Sequence, residues 1–157
     1  MFYAPSKQMI ASVVFSILCI SFFPLNSERK KIQWNDSKIN WISYEEGMKD
    51  SLKNGRPVLL ILYAEWCPAC KTYAKVFFDE NIQKLSHRFS MIRVDIDQNP
   101  ELSRKYSVDG EYIPRTYFLY PDGRLMETIY PQIRYRFFIG SRVENVKWFM
   151  EDALDED

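Results

Sequence analysis

Apolar and polar positions follow a pattern that predicts alternating strands and helices along most of the chain. The clearest signal is the run 58–63, which is apolar or aromatic throughout and carries no charge. Such a run predicts a strand that is buried on both faces of a sheet. Two further strands are predicted, a short one near Trp41 and a longer one over 91–97.

Helical signals occupy the intervals between these predicted strands. Ser43 and Glu46 have the spacing of a capping box, which opens a helix, and Gly55 ends that helix. A second capping box, formed by Ser141 and Glu144, is expected to open the last helix of the chain. Other helical segments are predicted over 68–78, 82–85 and 101–106.

The last third of the chain is predicted to contain a β-hairpin. A strand over 115–120 is followed by the tight turn Pro-Asp-Gly at 121–123 and a strand over 124–130. Parallel strands need a helical crossover between them, whereas a hairpin places its strands antiparallel. The pattern therefore predicts an α/β fold with one central mixed β-sheet and helices on both of its faces.

The N-terminal region is predicted to be a targeting segment. Residues 9–25 carry no charge and are mostly apolar, and Lys7 precedes them. A membrane-spanning helix needs about 20 residues, so this run is more typical of a signal-peptide core. An uncleaved anchor and a buried helix of the domain are the alternatives. We predict a signal peptide or N-terminal anchor over 1–27, a linker over 28–40 and one domain over 41–157.

Composition and charge narrow the class of protein. The 157 residues are 46% hydrophobic, which is typical of a packed globular domain. There are 21 basic and 21 acidic residues, so nothing in the net charge points to a nucleic-acid partner. The segment 134–138 mixes basic and aromatic residues, and we expect it to pack on the edge of the sheet. Contact with a membrane is expected only if residues 1–27 are retained.

Two cysteines carry the chemistry that the pattern suggests. Cys67 and Cys70 lie three residues apart where the predicted strand 58–63 gives way to a helix. This spacing lets their sulfurs meet within one helical turn, and the N-terminus of the helix favours a thiolate at Cys67. A thiolate is the nucleophile in disulfide exchange, and a second cysteine can release the mixed disulfide.

Two other roles are open to the cysteine pair, a structural role and a metal site. Zinc prefers four ligands, and outside residues 1–27 the chain offers Cys67, Cys70 and one histidine, His87. We therefore predict no metal and no dissociable cofactor, because the electrons would reside in the cysteines. His87 itself is expected to be an ordinary surface or helix-end residue.

The segment WCPAC at 66–70, at a strand-to-helix junction, resembles the thioredoxin family. Additional motifs make the chain similar to the small single-domain thioredoxin-like proteins of the endoplasmic reticulum, a group that includes the anterior-gradient proteins. These motifs are YEEG at 44–47, LSHRF at 85–89 and DGEYIPR at 109–115. The resemblance implies a thioredoxin-like fold and oxidoreduction of protein thiols in the secretory pathway.

The resemblance also implies roles for residues around the cysteines. It makes Pro114, preceded by Ile113, a cis-proline that faces them. Trp66, Ile113 and Pro114 would then contact the substrate, although Trp66 could instead pack in the core. Charged neighbours are candidates for tuning the acidity of the pair; they are Glu65, Lys71 and Arg115.

The sequence departs from the family's pattern at three places. The chain ends in ALDED rather than in a Lys-Asp-Glu-Leu retention signal, so a bacterial periplasmic protein stays an alternative. Ile61 occupies the strand position where thioredoxins carry a buried acid beneath the cysteines. The dipeptide Pro68-Ala69 between the cysteines matches neither Gly-Pro nor Gly-His, so family precedent does not give the redox potential.

The sequence therefore predicts an exported thiol–disulfide oxidoreductase that acts on proteins. Cys67 would attack the substrate and Cys70 would resolve the mixed disulfide. Its partners would be proteins with thiols or disulfides, together with a redox protein that recharges the pair. The alternative, kept open by Ile61, is a chaperone-like thioredoxin-fold module that binds clients without catalysis.

Overall fold

The computed structural model describes residues 31–131 and 134–156. The predicted signal segment 1–27, with Cys19, lies outside the described residues. Within the described ranges, no helix is both long enough and apolar enough to cross a bilayer.

Four strands form one mixed sheet in the order β1-β3-β2-β4. The strands β1 and β2 run parallel to β3, whereas β4 runs antiparallel to β2. Their bounds are Trp41–Ile42 for β1, Val58–Tyr63 for β2, Ser90–Asp95 for β3 and Arg115–Leu119 for β4. The central strand β2 is buried along its whole length, as its unbroken apolar run predicts.

Helices cover both faces of this sheet, as predicted. They are α1 (Tyr44–Asn54), α2 (Pro68–Tyr73), α3 (Glu80–Ser86), α4 (Pro100–Lys105) and α5 (Val143–Asp155), with a 3₁₀ helix at Ala74–Phe78 between α2 and α3. The first capping box forms: Ser43 accepts a hydrogen bond from the Glu46 N–H, and Gly55 ends α1 with φ of 66°. The second capping box, predicted at Ser141 and Glu144, was wrong. The helix α5 begins at Val143, so its N-cap residue is Arg142 and not Ser141.

The predicted hairpin forms its turn but not its second strand. The Tyr120 N–H donates to the Arg124 carbonyl at 2.9 Å, and a single bridge joins Leu119 to Leu125. The strand expected over 124–130 was wrong, because the chain turns inward to bury Met126 and Ile129. On the edge of β4 that does not pair with β2, the Thr116 N–H donates to the Phe137 carbonyl at 2.7 Å. The segment around Phe137 therefore packs on the sheet edge, as expected.

The segment 32–40 differs from the expected linker because its apolar side chains join the core. Trp34 is only 1% exposed, and its ring meets those of Tyr63, Tyr73 and Phe77 at centroid distances of 5.0–6.4 Å. The side chain of Asn35 donates to the Phe77 carbonyl at 2.8 Å. We call residues 32–39 the N-terminal arm. It packs behind α2 and the following 3₁₀ helix.

Side-chain alternation along the sheet separates the core into two layers. On β2, Leu59, Ile61 and Tyr63 face one layer, which also contains both cysteines and the apolar sides of α3 and α5. Val58, Leu60 and Leu62 face the other layer, together with Tyr106, Tyr117 and Phe137. The two layers therefore share the sheet but no side chains of β2.

The close approach of α1 to β3 generates a stability prediction. A methyl group on Gly47 would overlap the side chain of Ile92, which is completely buried. We expect Gly47→Ala to lower the free energy of unfolding by about 1–3 kcal/mol, although alanine favours helix over glycine. Urea denaturation measures the change. Lys49→Ala, exposed on the same helix, is the control and should change stability by less than about 0.5 kcal/mol. A stabilised Gly47→Ala protein would contradict this packing.

Candidate active site

Cys67 lies at the junction between β2 and α2, where it is the N-cap residue of the helix. Pro68 follows at the first helical position, where its missing N–H costs no hydrogen bond. The Cys67 sulfur accepts a hydrogen bond from the Cys70 N–H at 3.1 Å. It also lies 3.8 Å from the Ile113 carbonyl, to which its thiol donates. The sulfur is thus held by α2 on one side and by the loop before β4 on the other.

Cys70 lies behind Cys67, and solvent does not reach it. Burial raises the pKa of the Cys70 thiol, and a hydrogen bond and charge interaction with Cys67 raise it further. Both cysteines are free thiols in the structure. Cys70 is therefore held protonated at neutral pH, one helical turn behind Cys67, which is itself only 3% exposed.

The structure brings the predicted proline loop to the cysteines. The Ile113–Pro114 peptide bond is cis, as the resemblance implies. Because the Ile113 carbonyl contacts the Cys67 sulfur, this loop forms one wall of the site.

Trp66 is on the surface beside Cys67 rather than in the core. Half of its surface is exposed, and its indole N–H donates to the Asp97 carboxylate at 2.8 Å. Asp97 follows β3, so its contact with the ring depends on the parallel pairing of β2 and β3. Sequence reasoning did not single out Asp97.

Glu65, a charged neighbour of Cys67, has its carboxylate engaged in other contacts. The Glu65 carboxylate accepts from the Ile32 N–H at 2.6 Å and from the Tyr63 hydroxyl at 3.3 Å. Burial, with Glu65 nearby, raises the pKa of Tyr63 to about 12. Lys71 is exposed, and its side chain makes no hydrogen bond or ion pair within the described ranges. Glu65 therefore ties the N-terminal arm to the turn that carries Cys67.

Arg115 does not face the cysteines, which corrects the expectation that it tunes their acidity. Successive residues of a strand point to opposite faces, so Thr116 faces the cysteine layer and Arg115 the other. The Arg115 guanidinium is completely buried and donates to the carbonyls of Tyr106 and Gly110 at 3.0 and 2.8 Å. It also donates to the Ser103 hydroxyl at 3.0 Å. Arg115 is a structural cation that holds the loop after α4.

His87 is exposed just after α3, as expected for a surface or helix-end residue. The strand β3 begins at Ser90 and runs parallel to β2, whose far end precedes the cysteines. His87 therefore lies at the opposite edge of the sheet from Cys67. Within residues 31–131 and 134–156, no group of three or more His, Cys, Asp or Glu side chains could hold a metal ion.

Sequence reasoning missed two buried hydroxyl groups in the cysteine layer. The Tyr73 and Thr116 hydroxyls lie 2.9 Å apart, and neither side chain reaches solvent. Tyr73 could have been found from its position three residues after Cys70, which places both on one face of a helix. Thr116 could not, because its partner depends on the register of β4.

The sheet order, the cysteine pair at the start of α2 and the cis-proline opposite it define the thioredoxin-like class of proteins. The chain belongs to the thioredoxin-like family, whose model matches residues 40–121.

Three relatives agree with this assignment. Over 90 residues the chain is 33% identical to a thioredoxin of Acidithiobacillus ferridurans, which covers 57% of this chain and 80% of the relative. Over 89 residues it is 32% identical to the anterior gradient protein 2 homolog of Mus musculus, which covers 56% of this chain and 49% of the relative. The chain therefore spans about half the length of that relative. The solution structure of a Thermus thermophilus thioredoxin superposes with a TM-score of 0.62, at 25% identity, over 76% of this chain and 89% of the other.

The buried position of Arg115 generates a prediction about stability without a change in chemistry. Arg115→Met removes the donors from buried carbonyls, and we expect the free energy of unfolding to fall by about 3 kcal/mol. The reduction potential of the cysteine pair should stay the same, because the guanidinium lies in the other layer. Chemical denaturation and thiol titration measure the two quantities. Arg124→Met removes an exposed ion pair to Asp122 and should cost at most about 1 kcal/mol. A changed potential in Arg115→Met would contradict the assignment.

Proposed function

We propose that this chain is a thiol–disulfide oxidoreductase that acts on the cysteines of protein substrates. The observation that carries the proposal is the arrangement of the Cys67-Pro-Ala-Cys70 segment. The Cys67 sulfur is at the N-cap of α2 and accepts the Cys70 N–H, while the Cys70 thiol is buried directly behind it. The first cysteine has the position of a nucleophile and the second that of a resolving thiol.

In the proposed reaction, the Cys67 thiolate attacks one sulfur of a substrate disulfide. A bond forms between Cys67 and that sulfur, and the other substrate sulfur leaves with its electron pair and takes up a proton. Cys70 then attacks the Cys67 sulfur, which closes the Cys67–Cys70 disulfide and releases the second substrate thiol. The protein is oxidised by two electrons and the substrate disulfide is reduced; the reverse sequence oxidises a substrate dithiol.

The surroundings of Cys67 favour a polypeptide as the substrate. The exposed ring of Trp66 offers apolar contact area on one side, and Ile113 and Pro114 form the other wall. We propose that these three residues contact the chain that flanks the reacting substrate cysteine. The cysteine pair itself stores the electrons, so the reaction needs a second redox protein to recharge the pair and no dissociable cofactor.

We further propose that the reaction takes place outside the cytosol. The predicted signal segment over 1–27 supports the secretory pathway or the bacterial periplasm as its place.

A client-binding module without catalysis is the second candidate, and one observation favours it. Ile61 faces the cysteine layer at the position where thioredoxins carry a buried acid, so no carboxylate of β2 is available to Cys70. A slow resolving step would leave a protein that holds its clients rather than turning them over.

Single cysteine variants test the order of attack. We expect Cys67→Ser to abolish exchange with a model disulfide protein, because the attacking sulfur is lost. We expect Cys70→Ser to attack normally and to accumulate a mixed disulfide, because nothing resolves it. Non-reducing electrophoresis after acid quenching measures both outcomes. Full exchange by the Cys67→Ser protein would rule out this mechanism.

The reduction potential of the Cys67–Cys70 pair distinguishes the direction of electron flow. Equilibration of the purified protein with glutathione buffers measures it. A potential near about −270 mV indicates a reductase that depends on an electron donor, whereas one near about −180 mV indicates an oxidase or isomerase. Failure of the pair to equilibrate with glutathione would instead favour the client-binding module.

A further inference from the structure

The resolving step requires negative charge to develop on a sulfur that water does not reach. Cys70 is completely buried, and burial raises the pKa of its thiol. On β2, the side chains that face this layer are Leu59, Ile61 and Tyr63, and none of them is a carboxylate. The charge must therefore be stabilised by groups other than a strand carboxylate.

A pair of buried hydroxyls occupies this same layer. Tyr73 follows Cys70 by three residues in α2, so the two side chains lie on one face of the helix. The Tyr73 hydroxyl is 2.9 Å from the Thr116 hydroxyl on β4. Thr116 is the residue directly opposite Ile61 in the pairing of β2 with β4. The hydroxyl pair therefore bridges the cysteine helix and the sheet at the level of Ile61.

The other ionisable groups near Cys70 are few. Cys67, on the same helical turn, raises the pKa of Cys70, whereas a backbone hydrogen bond from Ala64, just after β2, lowers it. The Tyr63 hydroxyl, also on β2, donates to Glu65. On β4, the charged neighbour Arg115 points into the opposite layer. Burial raises the pKa of Tyr73, and charge on Cys70 raises it further.

We propose that the Tyr73 hydroxyl, positioned by Thr116, stabilises the Cys70 thiolate during resolution of the mixed disulfide. The inference rests on the proposed function and names two further residues of that same site. Tyr73 acts on a reacting sulfur, and Thr116 is a positioning residue. A hydrogen bond to a charged group is stronger than one between neutral groups. A single hydroxyl can therefore stabilise the Cys70 thiolate enough to change the rate of resolution.

The step balances without another reactant. The Cys70 thiol gives up its proton, and its sulfur attacks the Cys67 sulfur with an electron pair. The Cys67–Cys70 bond forms as the bond from Cys67 to the substrate sulfur breaks. The substrate sulfur leaves with the electron pair of that bond and takes up the proton that Cys70 lost.

The two hydroxyls can serve both states of the cysteine because either can donate to the other. While Cys70 is a thiol, Tyr73 donates to Thr116. The Tyr73 hydroxyl has no hydrogen bond to Cys70 in this thiol state, so the phenol must move toward the sulfur as charge develops on Cys70; Thr116 then donates to the Tyr73 oxygen. Neither hydroxyl then loses its hydrogen bond in the buried layer, which would otherwise be costly.

The test compares Tyr73→Phe with Tyr117→Phe, a matched control. Tyr117 is a buried tyrosine of β4 that faces the other layer and donates to the Tyr106 carbonyl. The full-length protein reacts with a model disulfide protein over a range of pH, is acid-quenched, and the mixed disulfide is quantified. We expect Tyr73→Phe to resolve the mixed disulfide about tenfold more slowly near neutral pH. Raising the pH should restore the rate, because a larger fraction of the Cys70 thiol is then ionised.

The first attack by Cys67 should be unchanged in Tyr73→Phe, and Tyr117→Phe should match the wild-type rate and pH profile. Thr116→Val keeps the phenol and removes its partner; it should slow resolution to a smaller extent, and it provides the test if Tyr73→Phe does not fold. Wild-type resolution at every pH in both cysteine-layer variants would overturn the inference and leave the proposed function intact. A wild-type protein that never forms the mixed disulfide would overturn both.

Discussion

The alternation of side chains along β4, fixed by its pairing with β2, keeps a buried guanidinium out of the layer that contains the cysteines. Thr116 faces the cysteines, and Arg115, one residue earlier, faces the opposite layer. A buried guanidinium beside Cys70 would add a full charge to the redox layer, whereas here it donates to loop carbonyls. A shift of one residue in the register would exchange the two side chains. The buried apolar strand β2 holds this register, so the chemistry of the site depends on it.

The cysteine helix is also held from behind. Trp34 of the N-terminal arm packs against Tyr73 and Phe77, and Glu65 binds the backbone of Ile32 at the start of the arm. A helix of only six residues gains little stability from its own hydrogen bonds, so tertiary packing must hold it. The arm supplies that packing and joins it to the turn two residues before Cys67. The position of Cys67 therefore depends on the burial of the N-terminal arm.

Local signals made part of this structure predictable from the sequence. The strand β2, the first capping box and the position of Cys67 at a helix N-terminus each depend on a few adjacent residues. The missed features depend on partners far along the chain. Trp34 stands among polar residues with no periodicity, so nothing local shows that it is buried. The side of the sheet that Arg115 faces follows only from the register. Ser141 does not cap α5 because the helix begins one residue later than predicted.

Replacing a buried acid by a hydroxyl pair changes which proton transfers the site can support. A carboxylate can accept the Cys70 proton, but while it stays ionised it places a negative charge beside the sulfur and disfavours the thiolate. The Tyr73 hydroxyl adds no charge to the layer, and its raised pKa keeps it a donor rather than a base. The proton of Cys70 must then leave with the substrate sulfur or reach solvent past Cys67. Resolution then depends on the leaving thiolate, and we expect clients with acidic leaving thiols to be released more readily than clients with basic ones, because a thiol of lower pKa leaves faster.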